Sequence, residues 1–466
     1  MPELPEVETV KNILSPLIVS RTIKEIEIIY PRLIQSDINL FKSNIINRKI
    51  VSLSRKGKYL ILDLDDDYEL IVHFRMEGKF FNLPSLENNI NKATSLYFKL
   101  DNDTYLLFND TRKFGVMYLK KKDELYNTKP LTEVGPEPWE IDKSSYLLEK
   151  YKNINKPIKE TLLDQKIMAG LGNIYADEVL FKSQISPFMK AKEINDNQAE
   201  AILTNSIVVL RKAIDKGGST IKSYHPSKGV SGNFQNELFA YGREGKQCLI
   251  CKHKMEKRYV NGRGTTYCPS CQHVRPSIGL TGKIGSGKSM VLSYFKDCGA
   301  KVISCDEIVH DLYSSLVFLK ECQHKFPYLF DEEGILSKEL IQNKLLSDKA
   351  FRRKYQLYIW KKVKDIINDF LIENYNYITV VEVPLLFESH MDKIFTLLVG
   401  VETTSQERNL LIRGDKDIEK KISLNSSSSA YESNHNKLNY VIENEGSLED
   451  LKQKVNEIFS KINLNK

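Results

Sequence analysis

The 466-residue chain lacks any run of 18 or more apolar residues, the minimum length of a membrane-spanning helix. Its first ten residues contain three glutamates, where a secretory signal would carry basic residues followed by an apolar stretch. The chain also lacks an internal repeat, so nothing indicates a repeat architecture. We therefore expect a cytoplasmic protein without a membrane partner, and its length predicts about three domains.

Cysteine is scarce and unevenly placed. Four of the seven cysteines form two CxxC pairs, Cys248 with Cys251 and Cys268 with Cys271, and 16 residues separate the pairs. This spacing is typical of a tetrahedral zinc site with four cysteine ligands, and a structural disulfide is disfavoured in the cytosol. We predict one structural Zn²⁺ per chain, which holds a hairpin too short to fold by apolar burial alone.

Acidic residues are under-represented in one part of the chain. Residues 1–275 carry a net charge of +8, whereas residues 276–466 carry −1. Between Arg211 and Arg275, 13 basic residues face four acids. A localised basic patch of this kind favours contact with a nucleic-acid backbone.

The period of the apolar residues changes twice. After one N-terminal helix, residues up to about 130 alternate short β-rich runs with polar turns, which indicates a β-sandwich or barrel. The predicted strands are 24–30, 59–64, 70–74, 95–100, 105–108 and 116–119. From 132 to 216 the period is helical. The predicted helices are 144–152, 158–163, 173–183 and 197–216. A long glycine-rich loop follows at 217–232, and a βα alternation runs from 277 to the end.

The N-terminus combines an imino acid with a carboxylate. Removal of Met1 would leave Pro2 with a free amine, which titrates near pKa ~8 and could form a Schiff base with a sugar aldehyde carbon. Glu3 beside it is a possible proton donor. The alternative is that Pro2 merely starts a capped helix, with Glu6 and Glu8 in its first turn. These residues alone favour the helix start.

Widely separated motifs change that preference. They are PELPEVET at 2–9, KGKYL at 56–60, MEG at 76–78, DTRKFG at 110–115, GPEP at 135–138, LLDQ at 162–165, AGLGNIYADE at 169–178 and the cysteine segment. Together they resemble the formamidopyrimidine-DNA glycosylase family over residues 1 to about 275. The resemblance implies a helix-two-turn-helix fold and a monomeric enzyme that excises oxidised purines, 8-oxoguanine and formamidopyrimidines, from damaged double-stranded DNA.

The resemblance also implies the reacting groups. Pro2 nitrogen attacks C1′ of the damaged nucleoside, Glu3 shuttles protons, and the imine permits β,δ-elimination of both phosphates. Lys58 supplies a cation near the phosphate or the base. Without the motif, Lys58 would be interpreted as a solvated strand lysine.

Five further residues are expected to bind DNA. Met76, Arg112 and Phe114 match the family's trio that fills the space left by an everted base. By themselves Met76 and Phe114 would be assigned to the core. Asn173 and Arg263 resemble the phosphate clamp, with helix N-terminal amides added to the same site, and Arg263 is also counted with the catalytic group. At 91–95 the family's histidine-containing run is missing, which predicts slightly weaker DNA affinity.

A second constellation begins after an apolar run at 278–281. The pattern GxxxxGKS indicates a P-loop, whose amides would cradle phosphates of ATP while its lysine binds the β and γ oxygens and its serine binds Mg²⁺. Its predicted nucleotide-binding residues are Gly282, Gly285, Gly287, Lys288 and Ser289. A helix is predicted directly after it, at 290–296.

Residues 277–466 resemble dephospho-CoA kinase. The matching pieces are 279–282, 302–306, 331–336, 383–388, 406–408 with 413, and 441–444. The resemblance implies transfer of the ATP γ-phosphoryl group to the ribose 3′-hydroxyl of dephospho-CoA, with Asp306 orienting that hydroxyl and Arg413 stabilising the transferring group. A helix N-cap is the alternative role for Asp306.

This half departs from its family at several positions. The second P-loop glycine is Lys283, and the first acid of the usual Asp-x-Asp is Ser304. The usual His-Pro is Trp360-Lys361, and the late Arg and Gln are Lys421 and Asn425. These losses could weaken substrate binding.

The expected architecture is therefore multidomain. A catalytic β-sandwich (1–130), a helix-two-turn-helix domain with a base-contacting loop (131–232) and a zinc hairpin (233–275) precede an α/β P-loop kinase domain with a parallel sheet (277–466). One competing hypothesis is an endonuclease VIII-like pyrimidine glycosylase, against which Leu4 and the complete Met76, Arg112 and Phe114 set argue. Another is a non-catalytic DNA-binding module with a degenerate kinase domain.

Overall fold

The structure is a computed structural model that describes residues 2–219, 233–331, 334–404 and 428–464. The chain divides into two compact units, Met1–Gln272 and His273–Lys466. Within the described ranges, no helix has both the length and the apolar character needed to cross a membrane.

The first unit begins with helix α1 (Leu4–Ile18) and a β-sandwich. A second helix, α2 (Ile38–Ile45), lies between the first two strands. The eight strands are β1 (Ile23–Ile28), β2 (Ile50–Lys56), β3 (Tyr59–Leu64), β4 (Tyr68–His73), β5 (Lys79–Leu83), β6 (Thr94–Leu100), β7 (Tyr105–Asn109) and β8 (Val116–Lys121). They form two antiparallel sheets, ordered β1-β6-β7-β5 and β2-β3-β4-β8. Apolar residues from both sheets and from α1 form one buried core.

All six predicted strands are present, but two strands and helix α2 were missed. β2 and β5 are both edge strands of their sheets. An edge strand has one neighbour and a weaker demand for burial, and β2 buries only its first residue completely. The edge strands β1 and β8 were nevertheless predicted, so the local sequence decides the difference. β2 has polar residues at four of its seven positions, and the apolar residues of β5 do not alternate with polar ones.

The helical part of the first unit surrounds one central helix. It contains α3 (Ser145–Tyr151), α4 (Ile158–Leu162), α5 (Asn173–Lys182) and α6 (Asp196–Asp215). Eight of the ten residues of α5 are buried. The predicted helices correspond to these four within two residues at each end. The hairpin β9 (Glu256–Val260) and β10 (Arg263–Tyr267) completes the unit.

The second unit is a parallel sheet with helices. Its strands are β11 (Ser277–Gly282), β12 (Lys301–Ser304), β13 (Thr379–Glu382), β14 (Leu397–Glu402) and β15 (Tyr440–Glu443), in the order β12-β13-β11-β14-β15. Its helices are α7 (Lys288–Asp297), α8 (Cys305–Ser314), α9 (Leu316–Lys325), α10 (Lys338–Ser347), α11 (Lys349–Glu373), α12 (Ser428–Ser433) and α13 (Leu448–Leu464). The predicted fold class is confirmed for both units.

Parallel pairing places the carboxyl ends of all five strands at the same sheet edge. Open α/β sheets bind their ligands at this edge. Gly282, Ser304, Glu382, Glu402 and Glu443 end the strands there.

Candidate active sites

The first site is built around the carboxylate of Glu3. Glu3 is the N-cap of α1 and is 2% exposed. Its carboxylate accepts hydrogen bonds from the amides of Gly172 (2.7 Å), Ile174 (3.0 Å) and Tyr175 (3.4 Å), at the N-terminus of α5. Pro2 is buried beside it, and Met1 lies outside the described residues. Pro2 and Glu3 therefore do lie at the start of helix α1, but the carboxylate of Glu3 binds the N-terminus of helix α5.

Two glycines allow this close approach. A Cβ at position 172 would lie 2.2 Å from Cδ of Glu3. Gly170 has φ +104°, and a Cβ there would lie 2.4 Å from Cδ1 of Leu4. The backbone of Leu4 also donates to the carbonyl of Gly170 at 3.2 Å. The AGLGN motif is therefore the surface against which the start of α1 packs.

This arrangement corrects one expectation. The amides at the start of α5 were predicted to join the phosphate site, but those of Ile174 and Tyr175 are bound to Glu3. The positive end of the helix dipole therefore acts on a carboxylate of the protein itself. No pattern in the sequence indicates this contact, because the partners are about 170 positions apart.

Burial sets the protonation of the site. It raises the pKa of Glu3 to about 6, although the positive charge of Lys58 opposes the rise. Burial likewise lowers the pKa of Lys58 to about 8, with Glu3 opposing and Arg263 adding to the shift. Lys58 is 6% exposed and donates to the carbonyl of Leu171 at 2.6 Å, so its interpretation as a solvated lysine is wrong.

The turn that carries Lys58 is fixed by a buried ion-pair network. Glu137 accepts from the amide of Gly57 (2.7 Å) and from Arg55 (2.5 and 3.1 Å), and Arg55 also binds Glu8 of α1 at 2.7 Å. The network accounts for the GPEP motif at 135–138, because its glutamate anchors the β2–β3 turn.

Glu6 is the second buried carboxylate near the start of α1. Its Oε2 accepts from the amide of Glu3 at 2.9 Å, and its Oε1 accepts from the hydroxyl of Tyr175 (2.5 Å) and the amide of Ser219 (2.8 Å). Glu6 therefore joins α1 to α5 and to Ser219, near the start of the glycine-rich loop 217–232. Residues 220–232 of this loop lie outside the described residues.

The proposed wedge residues lie on two adjacent loops. The loop 74–78 joins β4 to β5, and the loop 110–115 joins β7 to β8. Their ends are paired in the two sheets, His73 with Val116 and Lys79 with Asn109. Thr111 also donates a hydrogen bond to Glu77 across the two loops. The structure thus brings the loops of Met76, Arg112 and Phe114 together at one end of the sandwich. Met76 is 38% and Phe114 52% exposed, so their assignment to the core is wrong.

Asp110 shapes the second of these loops. Its buried carboxylate accepts from the amides of Arg112 (3.0 Å), Phe114 (2.8 Å) and Gly115 (2.7 Å). The guanidinium of Arg112 lies over the ring of Phe114, 4.8 Å from its centroid. The two exposed side chains therefore extend from a backbone that three hydrogen bonds to Asp110 hold in place.

The predicted clamp residues meet at the hairpin turn. Arg263 is exposed at the start of β10, and Asn173 donates to the carbonyl of the next residue, Gly264, at 3.1 Å. A fully buried pair fixes the same strand, because Lys159 contacts Asp177 at 2.7 Å and donates to Gly264 and Thr265. Sequence reasoning missed this pair, although Asp177 stands inside a quoted motif.

The four paired cysteines form one cluster. Their sulfurs all lie within 4.8 Å of one another, with 3.3 Å between Cys251 and Cys268 and 3.9 Å between Cys248 and Cys271. Four ligands about 2.3 Å from a tetrahedral Zn²⁺ would stand about 3.8 Å apart. The cluster therefore fits the predicted metal. Cys248 and Cys268 pack with Phe181 of α5, which ties the hairpin to the helical core.

The second site is the loop between β11 and α7. Gly282, Gly285 and Gly287 have φ values of +152°, +76° and +96°, and a Cβ at Gly282 would lie 2.2 Å from the carbonyl oxygen of Val401. Lys288 is 7% exposed and donates to the carbonyls of Gly282 (3.0 Å) and Lys283 (2.9 Å). The glycine pattern is thus required by backbone geometry, as in a phosphate-binding loop.

Glu382 is a functional candidate that sequence reasoning missed. It is 6% exposed at the carboxyl end of β13 and accepts from the hydroxyl of Ser289 at 3.4 Å. A hydroxyl beside a carboxylate at a P-loop is an oxygen set that suits Mg²⁺. The available signal was an acid that interrupts the apolar run 378–386.

The structure also places Asp306 and two of the departures. The N-cap of α8 is Ser304, whose hydroxyl accepts from the amide of Glu307 at 3.1 Å, so the N-cap alternative for Asp306 is wrong. Asp306 is exposed in the first turn of α8, just beyond β12. Lys283 pairs with Glu432 of α12 at 2.9 Å. Arg413, with 406–408, Lys421 and Asn425, lies outside the described residues.

Comparison with known families gives three matches along the chain. Residues 1–117 match the N-terminal domain of formamidopyrimidine-DNA glycosylase, and residues 134–225 match its H2TH domain. Residues 277–450 match dephospho-CoA kinase.

Individual relatives cover the first part of the chain. The formamidopyrimidine-DNA glycosylase of Bacillus cereus is 42% identical over 275 residues, which are 58% of this chain and 99% of the relative. That of Geobacillus kaustophilus is 40% identical and is covered completely.

Solved structures agree with the sequence relatives. A variant of Lactococcus lactis FPG in complex with Fapy-dG-containing DNA is 39% identical, with a TM-score of 0.56, over 58% of this chain and 99% of that one. The Lactococcus lactis enzyme with abasic-site DNA gives a TM-score of 0.54 at the same identity and coverage. The chain therefore belongs to the formamidopyrimidine-DNA glycosylase family and carries, after that part, a dephospho-CoA kinase domain.

Proposed function

We propose that the first unit is a bifunctional DNA glycosylase and abasic-site lyase that acts on oxidised purines in double-stranded DNA. The observation that carries the proposal is the buried carboxylate of Glu3, which follows Pro2 directly and whose pKa burial raises to about 6. A carboxyl group that is partly protonated near neutral pH can donate a proton to a departing base. The relatives that share this unit are named formamidopyrimidine-DNA glycosylase, which favours action on oxidised purines over the pyrimidine-specific alternative.

In this mechanism, removal of Met1 frees the nitrogen of Pro2, which forms a bond to C1′ as the glycosidic bond breaks. Glu3 protonates the leaving group or the ring oxygen of the sugar. When the ring oxygen is protonated, the C1′–O4′ bond breaks and an iminium forms at C1′. Loss of a proton from C2′ then expels the 3′ phosphate, and loss of a proton from C4′ expels the 5′ phosphate, with the protons passing to the carboxylate of Glu3 or to water. Lys58, whose pKa burial lowers to about 8, stays largely cationic beside Glu3 and is available to the phosphate.

Borohydride trapping tests the proposal directly. The chain is incubated with a duplex that contains 8-oxoguanine opposite cytosine, and borohydride is added to reduce any imine. We expect one covalent adduct, on the peptide that begins with Pro2, and a much lower yield with Pro2→Gly. Absence of the adduct would favour the non-catalytic DNA-binding alternative. Faster excision of thymine glycol than of 8-oxoguanine would favour the pyrimidine enzyme.

The wedge residues provide a second test. Phe114 is more than half exposed, on a loop whose backbone is hydrogen-bonded to Asp110, and is available to stack in the duplex. Stacking of one base on an aromatic ring is worth about 1–3 kcal/mol, so Phe114→Ala is expected to weaken the everted-base complex by about 5- to 150-fold. Fluorescence of 2-aminopurine placed beside the lesion reports the eversion. Tyr126→Ala removes another exposed aromatic, 58% exposed outside these loops, and should change nothing; an equal effect would contradict the wedge role.

We propose that Cys248, Cys251, Cys268 and Cys271 hold one Zn²⁺, which serves a structural role. The ion would fix the hairpin that carries Arg263, since thiolate ligands and folding are coupled in such sites. Cys268→Ser is therefore expected to lose the metal, measured as zinc per chain, and to lower DNA affinity at least about tenfold. Cys298→Ser, outside the cluster, is the control. Unchanged DNA affinity in a zinc-free variant would refute the role.

For the second unit we propose ATP-dependent phosphorylation of the 3′-hydroxyl of dephospho-CoA. Gly282, Gly285, Gly287 and Lys288 would bind the phosphates. Ser289, with Glu382 behind it, would hold Mg²⁺, which supplies charge neutralisation when bound. Asp306, exposed at the same sheet edge, would orient the acceptor hydroxyl. We assign to Arg413 the role of stabilising the phosphoryl group during its transfer. Formation of CoA from dephospho-CoA and Mg-ATP by the purified chain tests this.

The domain boundaries 1–130, 131–232, 233–275 and 277–466 remain proposals of the same kind. So does a cytoplasmic location, which follows from the proposed substrates, DNA and nucleotides.

A further inference from the structure

The P-loop of the second unit contains a lysine besides Lys288. Lys283 directly follows Gly282, the last residue of β11, at the position where the dephospho-CoA kinase family has glycine. The ammonium group of Lys288 lies 2.9 Å from the carbonyl oxygen of Lys283. Because Lys288 is assigned to the β and γ phosphates, the backbone of Lys283 lies next to the proposed phosphate site. This chain therefore places a second positive side chain within the phosphate-binding loop itself.

The side chain of Lys283 forms an ion pair with α12. Its Nζ lies 2.9 Å from Oε1 of Glu432, and the two side chains are 34% and 61% exposed. An ion pair with this degree of exposure contributes little to stability, since water screens it. The polyphosphate of ATP carries several negative charges and strong acceptor oxygens, so it is a stronger partner for an ammonium group than one exposed carboxylate. Lys283 can therefore exchange Glu432 for a phosphate at little cost.

Contacts with β14 place Glu432 on the nucleotide side of the sheet. Tyr431, the residue before it, donates a hydrogen bond to Glu402 at 2.9 Å, and Glu402 ends β14. β14 is the parallel neighbour of β11, with Gly282 paired to Val401. The pair of Lys283 and Glu432 therefore lies at the edge of the sheet where open α/β folds bind their ligands.

The backbone of the P-loop is held independently of this ion pair. The side-chain amide of Asn444 donates to the carbonyl of Ser286 at 2.9 Å, and Lys288 donates to the carbonyls of Gly282 and Lys283. Breaking the contact with Glu432 therefore leaves these three hydrogen bonds in place. A lysine ammonium sits on a flexible four-carbon stem, so rotation of the side chain alone can move it from one partner to another.

We propose, resting on the kinase function proposed above, that Lys283 is an additional ligand of the ATP polyphosphate and that Glu432 is its partner when no nucleotide is bound. When ATP binds, the ammonium group leaves the carboxylate and donates charge-assisted hydrogen bonds to phosphate oxygens. The lysine keeps its proton throughout, so the exchange replaces one acceptor with another. Glu432 thus competes with ATP for the same cation.

A structural ion pair would behave differently from this competition. If the pair only held α12 against the P-loop, loss of either partner would break the same contact, and both substitutions would weaken ATP binding. If Lys283 binds phosphate, loss of the lysine removes a ligand, whereas loss of the carboxylate removes a competitor. The two substitutions are then expected to have different signs, although they delete the same ion pair.

The test is titration of the full-length chain with Mg-ATP, without dephospho-CoA, by isothermal titration calorimetry. Lys283→Gln is expected to raise the Kd for Mg-ATP by about 10- to 150-fold, as for loss of a hydrogen bond to a charged group. Glu432→Gln should leave the Kd unchanged or lower it by up to about fivefold, since an exposed pair is weak. Lys437→Gln is the matched control, because Lys437 is also exposed and pairs with Asp392 at 3.5 Å.

Three results would overturn the proposal: a rise in Kd of less than tenfold for Lys283→Gln, a higher Kd for Glu432→Gln, or an equal effect of Lys437→Gln. The kinase function is judged separately, from formation of CoA. The expected Kd values without CoA formation would refute the kinase function and support the role of Lys283. CoA formation with a KM for ATP that Lys283→Gln leaves unchanged would refute that role alone, and failure of the chain to bind Mg-ATP would refute both.

Discussion

Glu3→Gln is expected to slow base release about 10³-fold, within the range of general acid catalysis by a positioned side chain. The variant keeps the size of the side chain but cannot supply an acidic proton, and only one of its two terminal atoms can still accept hydrogen bonds from the amides of α5. Three backbone amides fix the carboxylate of Glu3, so no other acid can take its position without a shift of α1 or α5. The rate of 8-oxoguanine release under single-turnover conditions measures the effect.

The pH dependence separates an acid from a structural carboxylate. Burial raises the pKa of Glu3 to about 6, and an α-amino group titrates near ~8. The reactive form has a neutral amine and a protonated carboxyl. Its population rises with pH below about 6, because the amine loses its proton. It is level between the two values, where each gain in neutral amine is offset by an equal loss of protonated Glu3. Above roughly pH 8 it falls, since only Glu3 still titrates.

Glu3→Gln should therefore abolish the alkaline fall as well as reduce the rate, and its activity should rise to a plateau. Glu87→Gln, at an exposed loop position, is the control for the change of residue type. The kinase assay on the same preparation is an internal control, because the variant should form CoA at the parental rate. A variant that retains the alkaline fall would show that another group supplies the proton.

The sequence predicted the fold because its apolar period changes where the architecture changes. Strand β3 buries four of its six residues and was recognised, whereas β2 is rich in polar residues and β5 lacks an alternating apolar pattern. The P-loop and the cysteine cluster could also be predicted from the sequence, because each depends on the spacing of residues within a short segment. Periodicity and local spacing thus suffice for features whose residues are close in the chain.

Contacts between residues that are distant in the chain could not be predicted from the sequence. Glu3 and the amides of α5 are about 170 positions apart, and Ser289 and Glu382 are 93 apart. In neither pair does the local sequence around one residue indicate which distant residue it contacts. Trp360 and Lys361 show a further limit. Both side chains line a cavity between α11 and the segment after β13, and this position could not be predicted from the sequence because it depends on the packing of two segments that are distant in the chain.

The two units have separate reacting groups, which makes each a control for the other. Glu3, Lys58 and the cysteine cluster belong to Met1–Gln272, and the P-loop belongs to His273–Lys466. A substitution that unfolds the whole chain would reduce both activities. A substitution that acts on chemistry should reduce only one of them.

Lys288→Ala is expected to lower the rate of CoA formation about 10³-fold while leaving base excision unchanged. Lys288 is nearly buried and donates to two carbonyls of the loop, so its ammonium is already placed where the loop would receive phosphates. Removal of one fixed charge that stabilises a transferring phosphoryl group costs about 10²–10³ in rate, and the loss of the two loop contacts adds to this. The rate of CoA formation at saturating Mg-ATP and dephospho-CoA measures it.

Two companion variants locate the effect. Lys288→Arg keeps the charge but replaces a compact ammonium with a longer planar group, so it should also be strongly impaired. Lys296→Ala removes an exposed lysine from the last turn of the same helix and should retain parental activity. Because Lys288 would also contact the phosphates of bound ATP, Lys288→Ala should weaken ATP binding and so reduce the rise in melting temperature on adding Mg-ATP. Activity of Lys288→Ala within tenfold of the parental chain would exclude this loop as the site of phosphoryl transfer.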